Sequence, residues 1–290
     1  MLDKSLDDAE PRELEEAWKY CAGIARRAAG NFYYAFLFLP RELRRGIYAL
    51  YAFLRAGDDA ADNGDGGSRQ LLKKLRRGLD LVFAGRYCDR LTLALAHTHR
   101  RFVFPREHFD EMFRGLQMDL SVKRYPTFED LRLYCYRVAS TVGLLCLPIF
   151  GADTPEARCY AENLGIGMQL TNILRDLWED LQRGRIYLPA EDLNRFELHE
   201  SEIFAASQAS KLRDLVLWEA RRAEHFFREA EKWFPADLKA KLAVAQIMGA
   251  IYKTILDKII AAERFDRCIE LNRREKLNIG YRVVSELGGL

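Results

Sequence analysis

The stretch at 164–182, LGIGMQLTNILRDLWEDLQ, constrains the fold most, because one segment carries both the apolar spacing of a buried helix and a line of polar side chains. At about 100° per residue, Gln169, Asn172, Asp176 and Asp180 fall at i, i+3, i+7 and i+11 and share one face. Ile166, Leu170, Ile173, Leu174 and Leu177 cover other sides, so the helix is expected among other helices. Aspartates four residues apart repel one another, and burial makes the repulsion worse unless a cation or a hydrogen-bond network offsets it.

A second segment, GIYALYAFLRAGDDAADNGDGG at 46–67, repeats the pattern: Tyr51, Arg55, Asp58 or Asp59, and Asp62 form one stripe on an apolar, aromatic helix. Taken alone these are ordinary acids near a helix end. Two such helices facing one another would bring four or more carboxylates together, and helix bundles commonly build metal sites that way. Oxygen donors without histidine or cysteine suit Mg²⁺ or Mn²⁺ better than zinc, and Mg²⁺ fills its shell with water and substrate phosphate. A diphosphate substrate held through metal follows. Arg55, Arg175 and Arg185 are placed to neutralise the remaining phosphate charge, although Arg175 and Glu179 are also an i, i+4 pair able to close on itself.

Helical period dominates the rest, and no strand-like alternation persists. Helices are expected near 10–29, 41–62, 68–84, 87–101, 107–121, 127–149, 155–182, 207–233, 235–262 and 266–283, a single all-α domain over residues 1–290. With 290 residues, 49% of them hydrophobic, the chain can bury a large core. Its net charge of +2 gives no field for nucleic acid, so no nucleic-acid partner is expected. Six cysteines without metal-like spacing read as small core side chains in a reducing compartment. The N-terminal residues have no apolar stretch of signal-peptide type, and the longest apolar runs fall short of the ~20 residues needed to span a membrane. A cytoplasmic location is expected, with room for peripheral contact at a membrane surface.

The wording of the two stripes, DDAAD after YALYAFLR and NILRDLWED before GRIYLP, resembles the two aspartate-rich signatures of the squalene and phytoene synthases, which join two isoprenoid diphosphates head to head. NFYYAFLFLP, MDLSVKRYPTFEDLRLYCYRVASTVGLL and GIGMQLTNILRD extend the resemblance over roughly residues 25–190. It implies an all-α bundle of the isoprenoid synthase type with a central active-site cavity. It also implies metal ligation by Asp58, Asp62, Asn172, Asp176 and Asp180, and substrate contacts from Gln169 and the three arginines. No side-chain nucleophile is implied; Tyr51 and Tyr134 are candidate proton relays.

The resemblance further gives Phe32, Phe36, Tyr48, Tyr51, Tyr134 and Tyr252 a role as walls of an apolar tunnel that stabilise carbocations, although aromatics also fill ordinary helical cores. Gly165, Gly143 and Ala139 leave room for a polyprenyl tail, or equally for close helix packing. Gly57 before the acids predicts a loosened helix end. His97 and His99, at i, i+2, diverge on a helix and are not expected to bind metal.

Among subfamilies, FYYAFLFLP, YCYRVAS and PIFG are most similar to presqualene diphosphate synthases of hopanoid pathways, with phytoene synthase next. That reading implies two farnesyl diphosphates as substrates, Mg²⁺ or Mn²⁺ as cofactor, no NADPH, and downstream squalene-forming enzymes as partners. Head-to-tail prenyltransferases and terpene cyclases also pair acidic helices, but NILRDLWED with GRIYLP is not their usual wording. A non-catalytic helical binder would gain nothing from clustered acids.

Overall fold

Helical spacing is realised almost throughout the computed structural model, which describes residues 3–28, 30–62 and 67–287, apart from the side chains of Asn31 and Asp62. The helices are α1 (Pro11–Ala28), α2 (Gly30–Phe36), α3 (Arg41–Asp62), α4 (Ser68–Phe83), α5 (Arg90–Phe102), α6 (Arg106–Ser121), α7 (Phe128–Cys135), α8 (Thr141–Phe150), α9 (Pro155–Arg175), α10 (Leu177–Gln182), α11 (Ala190–Arg195), α12 (Ala209–Lys232), α13 (Ala243–Ala261) and α14 (Arg273–Glu286). The short strands β1 (Lys4–Ser5) and β2 (Arg86–Tyr87) pair antiparallel. A π-helical turn, Tyr136–Ser140, joins α7 to α8.

Side-chain caps set several boundaries. Asp89 with Thr92, Thr127 with Asp130 and Asn272 with Glu275 form reciprocal capping boxes, and Thr154 caps α9 ahead of Pro155. The Asn272 box starts α14 seven residues later than periodicity indicated. α13 likewise starts at Ala243, after a 3₁₀ turn at Ala236–Leu238.

The chain divides into two compact units, residues 1–120 with 145–153, and 121–144 with 154–290. In the first, α3 packs against α1, α4 and α5. Its Ile47, Leu50 and Phe53 are almost fully buried, and the Phe53 ring meets Phe109 edge-on at 5.8 Å. The helix runs unbroken through Gly57 to Asp62, and residues 63–66 of the NGDGG run beyond it lie outside the described residues. A Cβ at Gly57 would lie 2.7 Å from Leu116 Cδ1, so the missing side chain lets α6 approach.

In the second unit α9 is the hub, packed by α12, α13, α7 and the π-helical turn. A Cβ on Gly165 would stand 2.6 Å from both the N and the Cα of Ser140, backbone that cannot easily yield. Gly143 is similarly close to Ala161, 3.3 Å from its Cβ and its carbonyl oxygen. These two glycines therefore serve close packing and leave no room for a prenyl tail. The π-turn is knitted in by hydroxyls: Ser140 donates to the Glu162 carbonyl at 2.6 Å and Thr141 to the Arg137 carbonyl at 2.7 Å.

Arg222 of α12 pairs with both Asp192 of α11 and Glu219, and stacks over Phe128 at 4.3 Å. Burial pushes the Glu219 carboxyl up to about 8; Arg222 opposes the rise and Asp192 adds to it. Residues 128–150 are continuously helical over 23 residues and contain an 18-residue window of mean hydropathy 1.5, long and apolar enough to cross a membrane, contrary to the sequence expectation. Half of that apolar window is buried inside the protein, so packing accounts for its hydrophobicity.

Gly165→Ala is expected to cost about 2 kcal/mol, overpacking outweighing the gain in helix propensity. Gly23→Ala on α1, whose Cβ would meet only the Arg27 side chain at 3.5 Å, should be neutral or stabilising. Thermal unfolding of the two variants checks this; equal midpoints would contradict the packing account.

Candidate functional site

The first stripe lies on α3, in the first unit. Arg55 pairs with Asp59 one turn on, Nη2 to Oδ1 at 2.7 Å, while its Nε is buried without a hydrogen-bond partner. Asp58 is exposed, and the Asp62 side chain lies outside the described residues. The expected aromatics gather here: Phe32 and Phe36 of α2 meet Tyr51 at 6.3 and 6.1 Å, and Phe36 meets Tyr48 at 6.2 Å. Phe36 and Tyr48 are buried and act as core, whereas Phe32 and Tyr51 are only half-buried.

The second stripe, in the second unit, is not one continuous helix as expected. Asp176 sits between α9 and α10 with φ −98° and ψ 10°, although the backbone bonds from Asp176 N to the Asn172 carbonyl and from Asp180 N to the Asp176 carbonyl, both 2.9 Å, continue past it. Helical periodicity survives such a break, which is why the spacing did not reveal it. The kink turns Asp176 toward its own neighbour: Arg175 donates from Nε to Oδ1 at 2.7 Å and from Nη2 to Oδ2 at 2.5 Å. Arg175 therefore closes on Asp176, an arrangement that i, i+4 spacing with Glu179 did not suggest. Burial opposes the guanidinium's charge, but these bonds hold its pKa above the usual arginine range, with Tyr252 and Cys268 nearby.

Sequence reasoning missed Cys268. Its thiol, on the segment after α13, donates to Asp176 Oδ1 at 3.3 Å, a contact across 92 residues that no local signal announces. Tyr134 is buried in a tyrosine cluster, stacked at 5.3 Å on Tyr187 and 5.4 Å from Tyr125. Tyr187 belongs to the GRIYLP run, which follows Gly184 at φ 71°, a left-handed turn that suits glycine. The run lies beside residues 123–125, with Ile186 N bonded to the Lys123 carbonyl at 3.2 Å and Ala190 N to the Tyr125 carbonyl at 2.8 Å. His97 packs edge-on against Trp18, and His99 accepts from the Phe104 amide.

Two features of the second stripe fit a cation. Asn172 donates from Nδ2 to Gln169 at 3.2 Å, but its Oδ1 is buried with no hydrogen-bond partner, a state that costs about 1–3 kcal/mol. Burial, and then the charge of Asp176, push the Asp180 carboxyl up to about 6, against the pull of Arg183 and Arg185. Asn172 Oδ1 and Asp180 thus offer oxygen donors with unspent acceptor capacity beside the already paired Asp176, an oxygen-only set that fits a hard divalent ion. Among the described residues no group of three or more His, Cys, Asp or Glu side chains is already assembled around a metal position.

The sequence profile of the squalene/phytoene synthase family matches residues 25–277, and the chain belongs to that family. It is 38% identical to the 15-cis-phytoene synthase of Synechocystis sp. over 276 residues, covering 90% of this chain and 82% of that one. With phytoene synthase 2 of Solanum lycopersicum it shares 36% identity over 275 residues, 91% of this chain and 88% of the relative. Among solved structures, a dehydrosqualene synthase in complex with a ligand superposes with a TM-score of 0.79 at 31% identity, covering 96% of this chain and 98% of that one. The squalene synthase HpnC of Alicyclobacillus acidocaldarius gives 0.80 at 30% identity over 88% of this chain and 97% of its own. The all-α isoprenoid synthase fold and a prenyl-transferring activity of the squalene/phytoene synthase type follow.

Were a cation held by this donor set, it would bind Asp180 in its ionised form. Mn²⁺ affinity should therefore rise with pH through about 6 and level off above it, and Asp180→Asn should flatten that rise. Calorimetric titrations between pH 5 and 7.5 check this; an unchanged slope in the variant would contradict it.

Proposed function

We propose that the chain condenses two identical isoprenoid diphosphates head to head, with divalent cations held by Asp58 and Asp62 of the first signature and by Asn172, Asp176 and Asp180 of the second. What carries this reading is the α9–α10 junction, where a buried, unpartnered carboxamide oxygen and an acid with a raised pKa stand in the signature that the family shares. Bound Mg²⁺ would neutralise the diphosphate and make it a better leaving group. Arg175, Arg185 and Arg55 supply forked donors for phosphate oxygens. Gln169 orients Asn172 through their hydrogen bond. Phe32 and Tyr51 present half-buried aromatic faces suited to an allylic cation. Tyr51 and Tyr134 remain the proposed proton relays, Tyr134 through the Tyr187 hydroxyl 3.4 Å away.

For the substrate, the 36–38% identity to phytoene synthases favours geranylgeranyl diphosphate and a C40 product, which reverses the order drawn from the sequence motifs. The second reading, presqualene diphosphate from farnesyl diphosphate, is supported by the wording of FYYAFLFLP and YCYRVAS. Neither reading calls for NADPH. A cytoplasmic enzyme in peripheral contact with a membrane would suit so apolar a product.

Purified protein given C15 or C20 diphosphate with Mg²⁺, with product analysis before and after phosphatase, separates the readings. Phytoene from the C20 substrate, unchanged by NADPH, is expected. Presqualene diphosphate made from the C15 substrate in preference would promote the second reading, and squalene that grows with NADPH would contradict both. EDTA should abolish turnover, and Asp58→Asn, Asp62→Asn, Asp176→Asn and Asp180→Asn should each lower kcat more than tenfold with the fold retained.

A further inference from the structure

The two aspartates of the second signature differ in how their charge is met. Asp180 meets its surroundings as an acid with a raised pKa. Asp176 is already paired: Oδ1 accepts from Arg175 Nε at 2.7 Å and from the Cys268 thiol at 3.3 Å, and Oδ2 accepts from Arg175 Nη2 at 2.5 Å. The guanidinium is a two-pronged clamp along the carboxylate's edge, and both partners keep only 20% and 26% of their side chains exposed. A divalent ion needs an inner-sphere oxygen with a free lone pair, and it is repelled by a guanidinium fixed against that oxygen.

We infer that Arg175 is the resident counter-ion of Asp176, and that a divalent cation must displace it before it can ligate this aspartate. The inference rests on the proposed role of Asp176 as a metal ligand. Displacement frees a fork whose geometry matches phosphate oxygens as well as it matched the carboxylate. The ion pair between Arg175 and Asp176 is thus exchanged for two others, Asp176 with the metal and Arg175 with diphosphate. Because diphosphate gives the released guanidinium a partner, it lowers the cost of the exchange, so cation and diphosphate bind cooperatively through this one side chain. Asn172 favours the exchange, since its buried Oδ1 gains a ligand one turn before Asp176.

The test is Mn²⁺ binding by electron paramagnetic resonance on the full chain, with and without inorganic diphosphate, corrected with a protein-free Mn²⁺–diphosphate blank. With Mn²⁺ alone, Arg175→Gln should bind at least fivefold more tightly than wild type. The enhancement by diphosphate should shrink in that variant. Arg175→Lys keeps the charge but loses the fork, and should fall between the two. Arg175→Gln binding no tighter than wild type would overturn the inference. So would Arg175→Lys matching wild type while Arg175→Gln tightens, because the effect would then be one of net charge alone. Wild type that melts cooperatively but binds no Mn²⁺ in either condition would overturn the metal reading itself, and the inference with it.

Discussion

Burying carboxylates at the end of the helix around which the second unit packs is the constraint from which the rest of the site follows. α9 must be apolar to sit among α7, α12 and α13, and its Ile166, Leu170, Ile173 and Leu174 are at most 4% exposed. Each such side chain contributes about 1.5–3 kcal/mol of burial, which offsets the cost of the polar groups carried with it. The acids at its end are then met in two ways. Asp176 takes a cation and a thiol from the protein itself, whereas Asp180 stands as an acid with its pKa raised to about 6.

The break at Asp176 makes this division possible. Had α9 continued straight into α10, Asp176 and Asp180 would stand one above the other on a single face. With Asp176 at the junction, Arg175 reaches both of its oxygens from the adjacent position, which a regular helix does not favour because neighbouring side chains point about 100° apart. The same local geometry leaves Asn172 Oδ1 buried without a partner. A polar atom left in that state costs stability, and it is tolerated where a ligand completes it.

Much of this was legible in the sequence, because helical spacing and caps are local. The bounds of α3 and the starts of α4 and α9 agree with the helices expected at 41–62, 68–84 and 155–182. The stripe Gln169, Asn172, Asp176, Asp180 does gather on one short segment. What local pattern could not give was anything set by distant backbone. Gly165 stood equally for tail space or for close packing until the Ser140 backbone was found 2.6 Å from its Cβ position. Cys268 carried no mark of its contact with Asp176, and spacing paired Arg175 with Glu179, whereas the break brings it onto Asp176. The Asn272–Glu275 capping box, by contrast, was present in the sequence and should have placed the start of α14.

We propose that the α9–α10 junction holds a divalent cation through Asn172, Asp176 and Asp180. Crystals grown with Mn²⁺ and inorganic diphosphate, with data collected at the manganese absorption edge, test it most directly. An anomalous peak is expected with oxygens of Asn172, Asp176 and Asp180 in its coordination shell and the Arg175 guanidinium moved from Asp176 onto a phosphate oxygen. Manganese found only on exposed surface carboxylates, with Arg175 still clamped on Asp176 and Asn172 Oδ1 still without a ligand, would contradict it.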